Sequence, residues 1–271
     1  MNVEITEFEK RFCFELCPVT QLCGQNVRKK NYIFESLRRY FGTFKYSESK
    51  NKWRDNVFID NNQVGRKFFS VLSISNKTDI IQMIKMTKQS LLMEYVKNII
   101  QDFDWQLHMR NLSEEIEIMF QIINDQVNKV GDIEISYAMS DVWDMVQKSE
   151  VSGIDDTELS DKSNAELILI LLNIVDNVLK NNPKKTLILF ENLDHLVSLK
   201  EYVEIIHAAD TITKKYDLFF IFSSSLNKYV CCDIDFLEGI SVFGDVHFQM
   251  PEYNRLYPVS YTHLTLPVSY T

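Results

Sequence analysis

Gly24 and Lys30 carry the first chemical signal in this chain. They lie in VTQLCGQNVRKKNYIFESL, residues 19–37, where a short apolar run meets glycine and a polar turn leads into an amphipathic stretch. In a phosphate-binding loop of the form G-x-x-x-x-G-K-[ST], the glycines let backbone N–H groups close around phosphate oxygens. The lysine reaches the outer phosphates and the hydroxyl holds magnesium. Gly24 stands at the first glycine and Lys30 at the lysine, but Lys29 replaces the second glycine and Asn31 replaces the hydroxyl residue. A side chain at 29 crowds the approach to phosphate. Farther on, the apolar run TLILF ends in Glu191 and Asn192. In phosphate-loop ATPases the strand beside the loop ends in an acid that orients magnesium, followed by one that activates water. Glu191 is one methylene longer than the usual aspartate, and Asn192 cannot act as a base. Gly24, Lys30 and Glu191 therefore read as a phosphate loop that kept its layout and lost its chemistry. An ordinary strand–turn–helix that never bound nucleotide fits residues 19–37 equally well.

A second signal is charge. Between Arg28 and Arg54 stand Arg28, Lys29, Lys30, Arg38, Arg39, Lys45, Lys50, Lys52 and Arg54, opposed only by Glu35 and Glu48. The chain as a whole has net charge −9. A basic block in an acidic chain is an electrostatic footprint for a polyanion. Other catalytic sets are missing: there is no H-E-x-x-H and no nucleophile elbow. His108, His195, His207 and His247 are scattered and read as structural. Cys13, Cys17, Cys23, Cys231 and Cys232 show no C-x-x-C spacing, so they read as small core residues and not as a metal or redox site. The acidic groups Glu114, Glu115, Glu117 and Asp155, Asp156, Glu158, Asp161 lack the glycine-centred loop of a calcium-binding hand and read as solvated surface.

The elements that must position these residues follow from periodicity. The chain has 271 residues, 45% hydrophobic and 25% charged, with 7 Gly and 5 Pro, the composition of a globular protein without long linkers. No apolar run approaches membrane-spanning length, and MNVEITEFEKRF is no signal peptide, so a cytoplasmic protein is expected. Val3, Ile5 and then Phe12, Phe14, Leu16 alternate as two strands. Residues 19–23 form the loop strand, and its helix ends near Phe41-Gly42. Residues 43–63 read as a polar surface excursion, and 67–74 as a strand. From Asn76 the period becomes helical. Ile80, Ile84, Leu91, Tyr95, Ile99 and Phe103 mark one long helix. Asn111 and Glu114 cap a second that carries Ile116, Met119, Phe120, Ile123 and Val127 and closes at Gly131. The two are expected to pack antiparallel and bury one another's stripes. Ile133 to Met139 alternates as a strand. Ser163–Glu166 and Ser198–Glu201 are capping boxes for two further helices. The runs 186–192 and 218–223 are buried strands, and 246–250 is a last short one. Ser224 and Ser225 stand where transporter-cassette ATPases place a histidine. The expectation is an α/β fold: a degenerate P-loop, ABC-ATPase-like mixed sheet with a helical extension. The body takes 1–75 and 131–257, and the helical arm takes 76–130.

Residues 258–262 and 267–271 both read PVSYT. The unit is too short to bury a shared core and has no counterpart upstream. It resembles read-through of a sequencing adaptor, so 258–271 is set aside as a non-native tail, and the natural protein is expected to continue past Tyr257.

Up to about Tyr257 the chain resembles the ring-forming accessory protein of type II-A CRISPR loci, in its long form. The resemblance rests on VTQLCGQN with its helix to RRYFG, on KKTLILFENLDHLVS, and on YDLFFIFSSS. It implies a transporter-type ATPase fold without working nucleotide motifs, and a homotetrameric ring threaded on double-stranded DNA ends during spacer acquisition. It also implies partnership with the CRISPR integrase complex and effector nuclease, calcium supporting the ring in some members, and no enzyme activity. No calcium ligand can be matched residue by residue. The basic segment, with Arg28, Lys29, Lys30, Arg38, Arg39, Lys45, Lys50 and Lys52, is the expected DNA surface. The alternatives are a phosphate-loop NTPase with non-standard motifs and a scaffold without DNA contact, which would leave the basic block unexplained.

Overall fold

The computed structural model describes residues 1–7, 10–42, 56–130, 135, 146–154, 157–226, 228–244 and 247–250. Two compact units divide the chain: Met1–Asn76 together with the residues from Lys184 on, and Lys77–Pro183.

In the first unit, alternation at Val3 and Ile5 gives β1 (Asn2–Glu7), which pairs antiparallel with β2 (Lys10–Glu15) so that Val3 faces Phe14 and Ile5 faces Phe12. On its other side β1 pairs with β4 (Val57–Ile59), which pairs with β5 (Asn62–Gln63). The sequence reading gave 43–63 little core, yet Val57 and Ile59 are buried in this sheet. Two apolar residues flanking a single position are too short a pattern to separate a strand from a loop. The second sheet has six strands in the order β10-β9-β3-β8-β7-β6. They are β3 (Val19–Cys23), β6 (Ser70–Ile74), β7 (Thr186–Phe190), β8 (Leu218–Ser223), β9 (Ile240–Phe243) and β10 (His247–Gln249). The run from β9 to β6 is parallel and only β10 is antiparallel, so the sheet is mixed. The strand β9, ISVF, is only four residues long, too short a pattern to mark a strand in the sequence.

Helix α1 (Val27–Phe41) turns Ile33, Phe34, Leu37, Tyr40 and Phe41 into a core shared by both sheets, with Val3, Ile5, Phe14 and Val57 from one and Leu22, Leu187, Leu189 and Ile221 from the other. Alternation sends Phe190, Phe220 and Phe222 to the opposite face of the six-stranded sheet. There α6 (Leu199–Thr213) lies on β3 and β8 and buries Tyr202, Ile205, Ile206 and Ala209. Its Ser198–Glu201 capping box is formed. Each fully buried aliphatic or aromatic side chain contributes roughly 1.5–3 kcal/mol.

The second unit departs further from the periodic reading. The single helix expected over 80–103 is two: α2 (Lys77–Ile84) and α3 (Leu91–Ile100). Ser90 makes the break. Its Oγ donates to Thr87 O at 2.9 Å and accepts from Met93 N–H at 3.1 Å, which closes a turn and caps α3. The next helix, α4 (Phe103–Val127), starts at the Asp102 cap and runs through Asn111–Glu114, so the expected cap there is not used. No residue of α4 is buried, so α3 and α4 do not cover one another's stripes. Helix α5 (Asn164–Asn181), opened by the Ser163–Glu166 box, buries Leu167, Ile168, Leu171, Leu172, Val175 and Val178, with α2 and α3 packed on it. That packing puts α5 in the second unit, which ends at Pro183. The expected strand over 133–139 lies outside the described residues apart from Ile135, as does the tail 258–271. Among the described residues no helix is long and apolar enough to cross a membrane.

Candidate functional site

Strand β3 lies between β8 and β9 and delivers Gly24 at its C-terminal end. Gly24 has φ +95°, and a Cβ there would stand 2.5 Å from Phe243 O, so both the backbone angle and the close approach call for glycine. Asn26 then starts the helix. Its N–H donates to Phe243 O at 2.9 Å, and its Nδ2 to Gly244 O at 3.2 Å. Its Oδ1 accepts from Lys29 N–H at 3.1 Å. With this cap in place α1 begins at Val27, and only Gly24, Gln25 and Asn26 separate strand from helix. A phosphate loop of the motif's length needs the residues up to its lysine unwound, with their N–H groups facing inward. Here Val27, Arg28 and Lys29 are already helical, the Val27 N–H donates to Gln25 O and the Lys29 N–H is taken by the Asn26 side chain.

Lys30 closes what remains of the space. It is 1% exposed, and its Nζ donates to Gly24 O at 2.8 Å and to Ser224 O. Burial holds its pKa below the ordinary lysine value, with the Cys23 thiol and Asp194 acting the other way. That ammonium ties the ends of β3 and β8 together.

The acid end of β7 is spent in the same way. Glu191 donates its N–H to Ile74 O at 2.9 Å, and its Oε2 accepts from Ser75 Oγ at 2.9 Å. Asn192 takes the left-handed conformation, φ 52°, and donates its N–H to Ser223 Oγ at 3.0 Å. The sequence reading set this strand beside the loop strand; β8 stands between them. The sequence reading also passed over Asp194, whose side chain is fully buried. Its Oδ2 accepts from Ser225 N–H at 2.8 Å, Ser225 Oγ at 3.1 Å and Leu226 N–H at 2.6 Å, so it caps the turn after β8. His195 Nε2 lies 2.8 Å from the same Ser225 Oγ. An acid a few residues beyond a buried apolar strand was the available signal.

The described residues of the basic segment separate into three groups. Arg28 is exposed and Lys29 half-buried, with Lys29 Nζ donating to Gly244 O at 3.3 Å, so this pair marks the N-terminal turn of α1. Lys30 offers no surface charge and leaves the DNA-facing set. Arg38 and Arg39 sit in the last turn, roughly 15 Å along the axis from the first. Both are paired with the single carboxylate of Glu35, Arg39 Nε at 2.6 Å from Oε2. Lys45, Lys50 and Lys52 lie outside the described residues. Arg66, which the charge count left out, closes the other end of α1 by donating to Tyr40 O at 3.1 Å and Gly42 O at 2.8 Å. Glu114, Glu115 and Glu117 are exposed on α4, with Glu114 3.3 Å from Arg110.

Comparison with known proteins places this geometry. The family model for CRISPR-associated protein Csn2, subfamily St, matches residues 5–263. Among solved structures, Stu0660 of Streptococcus thermophilus matches with a TM-score of 0.81 at 22% identity, over 96% of this chain and 81% of that one. At that identity the likeness speaks for the fold. A structure of SmcHead bound to the C-winged helix domain of ScpA matches with a TM-score of 0.49 at 11% identity, over 94% of this chain and 98% of that one, and carries no argument. No curated protein matches.

Proposed function

The chain belongs to the family of CRISPR-associated protein Csn2, subfamily St, and from that membership we propose that it is a non-catalytic ring that binds double-stranded DNA ends during spacer acquisition. The observation that carries the non-catalytic half is Lys30. Its ammonium is buried on Gly24 O and Ser224 O, where a phosphate-loop enzyme holds its substrate. The loop is thus a degenerate phosphate loop, its anion site filled by the chain's own cation. An NTPase reading would require Lys30 to leave that position and the first turn of α1 to unwind.

The DNA-binding half rests on the basic segment from residue 28 to 54 in a chain of net charge −9. Arg28 and Lys29 supply its described surface charge beside the loop, and Lys45, Lys50, Lys52 and Arg54 continue it in sequence. A ring of four copies would gather these charges in its lumen and leave the acidic surface outside. The binding is to backbone phosphates, without base readout. The integrase complex and effector nuclease of the locus are the proposed partners, and calcium is a proposed support for the ring.

Two measurements test this reading. Phosphate release from ATP and magnesium should stay at the level of buffer alone; turnover near about 1 s⁻¹ would make the protein an enzyme. Duplex affinity should fall linearly on a log–log plot against salt, with a slope of roughly −0.9 per phosphate contact. The double variant Arg28→Ala, Lys29→Ala should weaken binding alike on every sequence and flatten that slope. Unchanged affinity and slope would move the DNA surface away from α1.

A further inference from the structure

We propose that His207, Cys231 and Asp233 form a binding site for a divalent transition-metal ion of the zinc class. His207 is distant in sequence from Cys231 and Asp233, and the fold brings them together. His207 projects from α6, while Cys231 and Asp233 lie on the segment that leaves β8. Their ligand atoms all lie within 4.8 Å of one another. His207 Nε2 and an Asp233 carboxylate oxygen are already 2.9 Å apart. Two ligands about 2.0–2.1 Å from a tetrahedral zinc ion stand roughly 3.3 Å apart, so an ion could replace that hydrogen bond with a small opening of the pair.

The donor set selects the ion. One imidazole nitrogen, one sulfur and one carboxylate oxygen suit zinc and its neighbours, whereas calcium and magnesium take oxygen alone. Three protein ligands leave a fourth position for water. Cys231 enters as the thiolate, and its proton passes to solvent.

The site is built from buried supports. Gln21, on β3 and 1% exposed, holds the Cys231 backbone from both sides. Its Nε2 donates to Cys231 O at 2.9 Å, and its Oε1 accepts from Cys231 N–H at 2.8 Å. The same Oε1 accepts from Tyr202 Oη at 3.2 Å. Tyr202 is fully buried on α6, so the helix carrying His207 and the segment carrying Cys231 are fixed through one glutamine. Phe236, also buried, stands edge-on to the His207 ring at 5.2 Å. Supports of this kind set ligand orientation in metal sites. Bound metal would clamp the segment after β8 to α6.

Cobalt(II) is the probe. The full chain, stripped with chelator, is titrated with Co²⁺ and its absorption recorded. One equivalent should produce the visible bands of a tetrahedral ion and a thiolate-to-cobalt charge-transfer band, with zinc displacing it and excess calcium leaving it intact. Cys231→Ser should abolish the charge-transfer band, and Cys232→Ser should leave it unchanged. His207→Ala, at an exposed position, should weaken Co²⁺ binding at least tenfold and remove the rise in Tm that zinc gives the parent. Absence of the bands would overturn the proposal, as would a band that survives Cys231→Ser, a band lost in Cys232→Ser, or unchanged affinity in His207→Ala.

Discussion

Helices α1 and α4 have the same kind of sequence and opposite fates. Both carry apolar residues at helical spacing. In α1 the stripe of Ile33, Phe34, Leu37, Tyr40 and Phe41 is buried between two sheets. In α4, ten residues longer, the stripe of Leu112, Met119, Ile122 and Ile123 is exposed, and Phe103 at its start is 77% exposed. The pattern of a helix states which face is apolar. It does not state whether anything in the same chain covers that face. For α1 the answer lies in strands both next to it and far away in sequence, and for α4 the described residues supply none.

The contrast can be broken by mutation, and the largest effect is expected at the entry to α1. Gly24→Ala combines a left-handed backbone with a Cβ 2.5 Å from Phe243 O, and should cost at least about 3 kcal/mol or prevent folding. Urea unfolding measures it; a loss under about 1 kcal/mol would mean that the loop relaxes freely. Next come matched truncations. Leu37→Ala on α1 should cost about 2–5 kcal/mol, whereas Ile122→Ala on α4 should stay within about 0.5 kcal/mol. An Ile122→Ala loss above about 1 kcal/mol would show that the α4 stripe is covered and would erase the difference between the helices.

A smaller effect isolates Lys30. Burial lowers its folded pKa below 10.5, so between the folded value and 10.5 the unfolded chain holds more protons than the native one. Stability therefore gains from this group as pH rises through that window and loses the gain below it. Cys17, pushed up to about 11 by burial and by the nearby Glu15 and Glu238 carboxylates, works oppositely above pH 9, so the useful quantity is a difference. Stability of the parent minus that of Lys30→Met should rise with pH toward 10.5. A flat difference would mean that Lys30 keeps its proton equally well in both states and is solvated where the structure buries it.

How far the sequence spoke follows the same division. Where the apolar pattern is regular or unbroken, as in β1, β2, β3, α1, β7, α6 and β8, alternation, capping boxes and Gly24 located the elements to within a residue or two. Where a short polar interaction decides, the sequence misled: Ser90 cuts a helix that Ile84 and Leu91 alone would join, and Asn111–Glu114 resembles a cap inside a continuous helix. The site was legible as positions and illegible as bonds. Lys30 reads identically whether its ammonium meets a phosphate or Ser224 O, since that carbonyl arrives from a strand almost two hundred residues later. Shorter separations, still well beyond one element, hid Asp194 with Ser225 and His207 with Cys231 and Asp233.

The proposed function requires a closed ring that takes DNA by its ends through backbone charge. The direct measurement is a gel-shift on one duplex presented as a sealed circle and again after a single cut. Binding should be strong to the cut form and weak to the circle, and the difference should vanish when the ends are blocked by bulky caps. Equal binding to circle and linear duplex would contradict it.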